Sequence, residues 1–129
     1  MSKKTLFIIA LVILAVALLI IFAYYQDSNL VNGKYDDFAR CLASKNITMY
    51  GAAWCSHCLN EKNAFEGSFK YVPYVECPDD PKKCLDKGVD AYPTWIFPDG
   101  LSAQADKKLV GEQGLEKLSR ESGCLLPPK

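Results

Sequence analysis

Two cysteines separated by two residues, Cys55-Ser56-His57-Cys58, are the group in this sequence best equipped for chemistry. A thiolate attacks disulfides and a thiol does not, so the question for any cysteine is what favours its ionised form. Ile47 to Gly51, just before the pair, reads as a short strand. Trp54-Cys55 leads into a helix running to about Phe65 and ended by Gly67. That order puts Cys55 at a helix N-terminus, where unpaired N–H groups and the positive end of the dipole favour a negative sulfur. The spacing brings Cys58 back within reach of Cys55, one turn inside the helix. Thiol–disulfide exchange is the expected chemistry. Cys55 attacks a substrate disulfide, or is attacked when oxidised, and Cys58 resolves the mixed disulfide into a Cys55–Cys58 bond. His57, the single histidine of the chain, can place positive charge near the Cys55 sulfur. That would stabilise the reduced form and make the couple more oxidising.

The competing use of such a pair is half a zinc site. Zinc would need two further ligands. Cys77 and Cys84 are available by count, but their spacing of seven is not that of a usual zinc knuckle. The expectation is therefore no metal and no cofactor.

The elements that must position the pair follow from periodicity and turn residues. Tyr35 to Lys45 reads as a helix with Phe38, Cys41 and Leu42 on one face. Tyr71 to Glu76 alternates and is rich in Tyr and Val, which predicts a strand. Cys77 to Gly88 is an acidic loop with one helical turn near Cys84, and Asp79-Asp80 within it reads as solvated. Thr94 to Phe97 is a compact apolar strand closed by the turn Pro98-Asp99-Gly100. Lys107 to Val110 is a weaker strand. Leu115 to Ser122 is a last helix with Gly123 just past its end. Helices alternate with strands, so the fold class is α/β, a mixed central sheet flanked by helices.

Gly51-Ala52-Ala53-Trp54-Cys55-Ser56-His57-Cys58, followed after about 35 residues by Tyr92-Pro93-Thr94-Trp95, resembles the thioredoxin active site. There a Trp precedes the first cysteine and a cis-proline faces the pair. Together with Met49-Tyr50-Gly51 and Tyr74-Val75-Glu76-Cys77, these segments resemble the thioredoxin-like domain associated with bacterial and plant homologues of vitamin K epoxide reductase. The resemblance implies a thioredoxin-like fold over residues 35–129. It implies a catalytic role for Pro93, and substrate contacts for Trp54, Tyr92 and Thr94. It also implies electron exchange between exported cysteine-containing proteins and a quinone-linked, vitamin K epoxide reductase-like membrane partner, supplied in trans. Two departures stand out. The buried acidic residue usual on the strand before the active site is matched here by Met49, and Ser56 stands where proline often follows the first cysteine.

Four cysteines remain and allow three pairings. Cys77 and Cys84 flank one loop, which leaves Cys41 on the first helix with Cys124 past the last. A structural role is expected for both pairs, with a relay through Cys77–Cys84 as the alternative. Phe38, Phe65, Phe69, Trp95 and Phe97 are candidate core, and Trp54 is expected to cover part of the site. Asn46-Ile47-Thr48 is a glycosylation sequon abutting a strand and is discounted.

Ahead of this domain, Leu6 to Tyr25 is twenty residues without a charge. As a helix it would span about 30 Å, the thickness of a bilayer core. A cleaved signal would be shorter, and the only A-x-A in this run, Ala15-Val16-Ala17, lies in its middle. The expectation is a retained anchor over residues 1–25 and a polar tether over 26–34. Lys3 and Lys4 before the span and Asp27 after it place the N-terminus in the cytoplasm and the domain outside it, where six cysteines fit an oxidising compartment. Tyr24 and Tyr25 would sit at the interface. Without Lys3 and Lys4 the chain holds 13 basic and 15 acidic residues. It therefore offers no basic face for nucleic acid. The leading expectation is a membrane-anchored oxidase of exported thiols. A reductase, or a non-catalytic thiol chaperone or metal carrier, are the rivals.

Overall fold

The computed structural model describes residues 2–28, 33–98 and 106–128, with 24–28 described by backbone alone. Two compact units divide at Asn32/Gly33. The first is one helix, α1 (Lys3–Ser28). Its Lys3–Ala23 stretch of 21 residues is long and apolar enough to cross a membrane, and none of it is buried within the protein. Apolar side chains point outward on every face, Phe7 and Leu19 among the most exposed. That pattern suits surroundings of hydrocarbon rather than water. The helix continues through Gln26, Asp27 and Ser28, which the sequence assigned to the tether. Gly33 and Lys34, also assigned there, open the second unit, where the Gly33 N–H donates to Asp36 Oδ2 at 2.9 Å.

The second unit runs α2 (Asp36–Ser44), β1 (Thr48–Gly51), α3 (Ser56–Ala64), a 3-10 turn (Ser68–Tyr71), β2 (Tyr74–Glu76), α4 (Pro81–Asp86), β3 (Thr94–Phe97), β4 (Lys107–Val110) and α5 (Leu115–Ser122). The sheet order is β2-β1-β3-β4. β1 pairs with β2 in parallel, and β3 is antiparallel to both β1 and β4. Met49 lies opposite Tyr74 on one side and Trp95 on the other.

Strand alternation then sorts the core onto the two sheet faces. Met49 and Trp95 join Phe38, Leu42, Phe65 and Leu118 in the larger cluster, which also holds Cys55 and Cys58. Tyr50, Val75 and Ile96 join Cys77, Cys84 and Val89 in the smaller. Of the expected core aromatics, Phe38, Phe65, Trp95 and Phe97 are buried, and Phe69 is half-buried with its ring centroid 5.5 Å from that of Phe65.

Two elements differ from expectation. β2 begins at Tyr74 rather than Tyr71, because Pro73 cannot donate to a ladder and its carbonyl instead accepts from Met49 N–H at 2.9 Å. The loop after Cys77 contains a true helix, α4. Pro81 sits in its first turn, and the Asp80 carboxylate caps it by accepting from Lys83 N–H. Asp79 is exposed as expected, but Asp80 does structural work. At the expected turn Pro98-Asp99-Gly100, the last two residues lie outside the described ones.

Two disulfides fasten these parts. Cys41–Cys124 ties α2 to the residue following the Gly123 cap of α5, and Cys77–Cys84 ties the end of β2 to α4. Beside the first, Lys45 Nζ donates to the Ser122 carbonyl at 2.5 Å and covers one of the free carbonyls at the end of α5.

Candidate active site

β1 delivers the chain to Gly51, and a tight turn closed by Cys55 N–H to the Ala52 carbonyl at 3.1 Å starts α3. Cys55 is the N-cap of α3. Its backbone is extended, and its sulfur accepts the Cys58 N–H at 3.2 Å. A negative sulfur would strengthen that bond and meet the dipole, as the sequence reading requires. The Cys55 residue is 8% exposed and Cys58 is 0%. Cys55 therefore shows only a small part of itself. Both are free thiols. Burial, with the bond to Cys55 adding to it, pushes the Cys58 thiol up to about 11. The pair is thus asymmetric: an outer sulfur at the helix mouth and an inner one sealed in the core.

Trp54 stands 74% exposed beside the pair, its ring centroid 6.0 Å from that of Tyr92 in an edge-to-face arrangement. The Tyr92–Pro93 peptide bond is cis. Pro93 is buried, and its carbonyl accepts from Gly111 N–H at 2.7 Å. Thr94 is also buried, and its hydroxyl donates to the Ala91 carbonyl at 2.8 Å. The Thr94 hydroxyl therefore closes the turn before β3.

His57 is exposed, and its Nδ1 lies 3.0 Å from Glu112 Oε2, which also takes a bond from Asn60. The imidazole and Asn60 hold the Glu112 carboxyl below its usual range. Any positive charge on His57 is therefore shared with a carboxylate instead of being reserved for Cys55. Cys77 and Cys84 are bonded to each other, so neither thiolate is open to a metal shared with the active pair.

The sequence reading missed four carboxylate or phenol groups. Glu61 is 1% exposed. Its two oxygens accept the Gln113 and Gly114 N–H groups at 2.6 and 3.0 Å. Burial pushes its carboxyl up, and those N–H groups pull it back. The available signal was spacing, since Glu61 is three residues after Cys58 on the same helix face. Glu112 lies in the same 111–114 loop. Tyr74 and Glu76 share one face of β2. The Tyr74 hydroxyl donates to Glu76 Oε2 at 2.5 Å, while Glu76 Oε1 accepts from the Ala53 N–H at 2.7 Å, two residues before Cys55.

No family model matches the chain. It is 40% identical over 97 residues to "Thiol-disulfide oxidoreductase LTO1" of Arabidopsis thaliana, a match covering 68% of this chain and 24% of that protein. The chain thus spans about a quarter of that relative's length. Among solved structures, the J-Trx1 fragment of ERdj5 matches at 25% identity and TM-score 0.49, covering 60% of this chain and 39% of that one. Fasciola hepatica thioredoxin matches at 19% and 0.45, covering 60% and 76%. With the cysteine pair at the mouth of α3, a cis-proline opening β3 and one parallel pair in the β2-β1-β3-β4 sheet, the fold is thioredoxin-like.

Proposed function

We propose that this chain is a membrane-anchored thiol–disulfide oxidoreductase that exchanges disulfides with exported proteins through Cys55 and Cys58. The observation that carries it is the Cys55 sulfur seated as the N-cap of α3 over a fully buried Cys58. In the reducing half of the cycle the Cys55 thiolate attacks a substrate disulfide. One substrate sulfur joins Cys55 and the other leaves as a thiolate. Cys58 then attacks Cys55, the Cys55–Cys58 bond forms, and the second substrate thiol departs. Run in reverse, the oxidised pair passes its disulfide to a substrate dithiol. Trp54 and the Tyr92 backbone form the surface on which an extended substrate segment would lie.

The oxidising direction, with electrons passed to a quinone-linked membrane partner resembling vitamin K epoxide reductase, is our reading of the motif set and of the similarity to LTO1. The apolar helix supports anchoring, and Lys3 and Lys4 before it support a cytoplasmic N-terminus with the domain on the far side. One observation favours the opposite, reductase direction: Glu112 sits on His57 and offsets the charge that would make the couple oxidising. The midpoint potential of the Cys55–Cys58 couple decides. A value near about −120 mV is that of a strong oxidant, and one near about −270 mV that of a thioredoxin-type reductant. Protease added outside intact membranes should remove the domain, and protection from it would refute the orientation.

A further inference from the structure

Cys58 poses a problem that the pair does not solve alone. As the resolving nucleophile it must shed a proton, yet burial raises its thiol to about 11. At neutral pH only about one in 10⁴ such thiols would be ionised without help. Met49, on the strand beneath, is buried and has no proton chemistry. Of the titratable groups around Cys58, Lys62 of α3 lies with its Nζ 3.5 Å from the Tyr74 ring centroid. The Glu61 carboxylate is turned to the 113–114 amides. The Cys55 sulfur is the partner in the reaction, Tyr92 packs against Trp54, and His57 is held by Glu112. That leaves Tyr74 and Glu76.

Gly51 shows how close they come. A methyl group on Gly51 would stand 2.8 Å from the Cys58 sulfur and 3.3 Å from the Tyr74 hydroxyl oxygen. Sulfur and hydroxyl thus flank one small gap, kept open because residue 51 has no side chain. Transfer through one bridging water fits that gap. On its far side the hydroxyl is already committed as a donor to Glu76, at 2.5 Å. Burial, with Glu76 next, holds the phenol well above its ordinary range, so Tyr74 passes a proton without resting as phenolate.

We propose that Tyr74 and Glu76 form a proton relay for Cys58, taking the place of the single buried acid that such a site would otherwise need. The proposal rests on the oxidoreductase reading and deepens it. As the Cys58 sulfur attacks Cys55 of the mixed disulfide, its proton moves to the Tyr74 oxygen and the Tyr74 proton moves to the Glu76 carboxylate. The Cys55–Cys58 bond forms, and the substrate–Cys55 bond breaks with its electron pair on the substrate sulfur. The pair is oxidised and the substrate reduced. In the reverse step Glu76 returns the proton to Cys58 as it leaves.

The test uses the full chain, purified in mild detergent with the active pair reduced, mixed with an aromatic disulfide (dithionitrobenzoate) that releases a coloured thiolate. The first release reports attack by Cys55 and the second reports resolution by Cys58. Tyr74→Phe keeps the ring, and Glu76→Gln keeps an acceptor for the Ala53 N–H. Each should leave the first phase unchanged and slow the second about 100-fold at neutral pH, the low end for a positioned proton acceptor. The deficit should close as pH rises toward the value of Cys58 itself. A second phase unchanged in both variants, or slowed by the same factor at every pH, overturns the relay while leaving the oxidoreductase reading intact. Absence of the first phase in the unaltered chain overturns both. Should one variant fail to fold, the other carries the same test.

Discussion

Removing each structural disulfide in turn should cost very different amounts, because the loops they close differ so much. Cys41–Cys124 spans a sequence separation of 83 residues and Cys77–Cys84 one of 7. In the chain-entropy model, closing these loops in the unfolded chain stabilises the fold by about 4.5 and about 2.4 kcal/mol respectively. All four residues except Cys41 are nearly fully buried, so alanine at each also gives up sulfur packing, by comparable amounts in the two pairs. The informative quantity is therefore the difference, about 2 kcal/mol. The larger loss is serious for a domain of this size, whose whole stability is on the order of 5–15 kcal/mol. The assay is urea unfolding without reductant, followed by tryptophan fluorescence, since Trp95 is sealed in the core. A Cys55→Ala, Cys58→Ala background prevents reshuffling. Free energies extrapolated to water are compared rather than midpoints, because removing a cross-link also changes the denaturant slope. If the Cys77→Ala, Cys84→Ala chain proves as unstable as the Cys41→Ala, Cys124→Ala chain, or more so, loop entropy is the wrong account of what these bonds do.

Cys58→Ala should accumulate mixed disulfides on Cys55, and Cys55→Ala should abolish exchange, both read by non-reducing gels after trapping. In the Cys55→Ala chain, Cys58 should resist alkylation until the pH is strongly alkaline, and ready labelling at neutral pH would contradict its burial. His57→Ala should slow alkylation of Cys55 at mildly acidic pH and make the couple more reducing. No change in either would mean that Glu112 cancels the imidazole charge. Asp36 accepts the Gly33 N–H, and its carboxyl is held below its usual range chiefly by the Ser68 hydroxyl. The unfolded chain therefore takes up that proton first as pH falls. The stability Asp36 contributes is full above the ordinary carboxylate range and is lost as pH drops through its lowered native value. Asp36→Asn should flatten the dependence of stability on pH between about 5 and 2, and an unaltered slope would refute this.

What could be read from the sequence was whatever local chemistry announces. The W-C-x-x-C at a strand–helix junction located the site. Alternation and turn residues located β1, β3, β4 and α5, and counting cysteines against loops led to the same two pairs found in the structure. Signals failed where a role depends on a distant partner. Glu61 and Glu112 are unremarkable charges until the 111–114 loop is laid across α3. Tyr74 and Glu76 read as ordinary strand residues until parallel pairing sets β2 beside the turn into α3. α4 was expected only as a single turn near Cys84, because six residues are too few for periodicity, and the marker of its start was Asp80 before Pro81. The bond from Thr94 to the Ala91 carbonyl was equally hidden, because a motif says which residue is present, not which way its hydroxyl turns.

The long disulfide also decides how the domain bears load. A pull applied between Gly33, where the compact unit begins, and its far end would run along the chain to Cys41, cross the sulfur bridge to Cys124, and leave through the last few residues. The sheet, the active-site helix and the cis-proline turn all lie on the branch between Cys41 and Cys124 that the bridge bypasses. Tension on a tethered domain therefore passes around the catalytic apparatus through a covalent shunt. Only the segment up to Cys41 and the tail beyond Cys124 lie in the line of force, so the geometry around Cys55 and Cys58 is mechanically insulated from a pull on the ends of the unit.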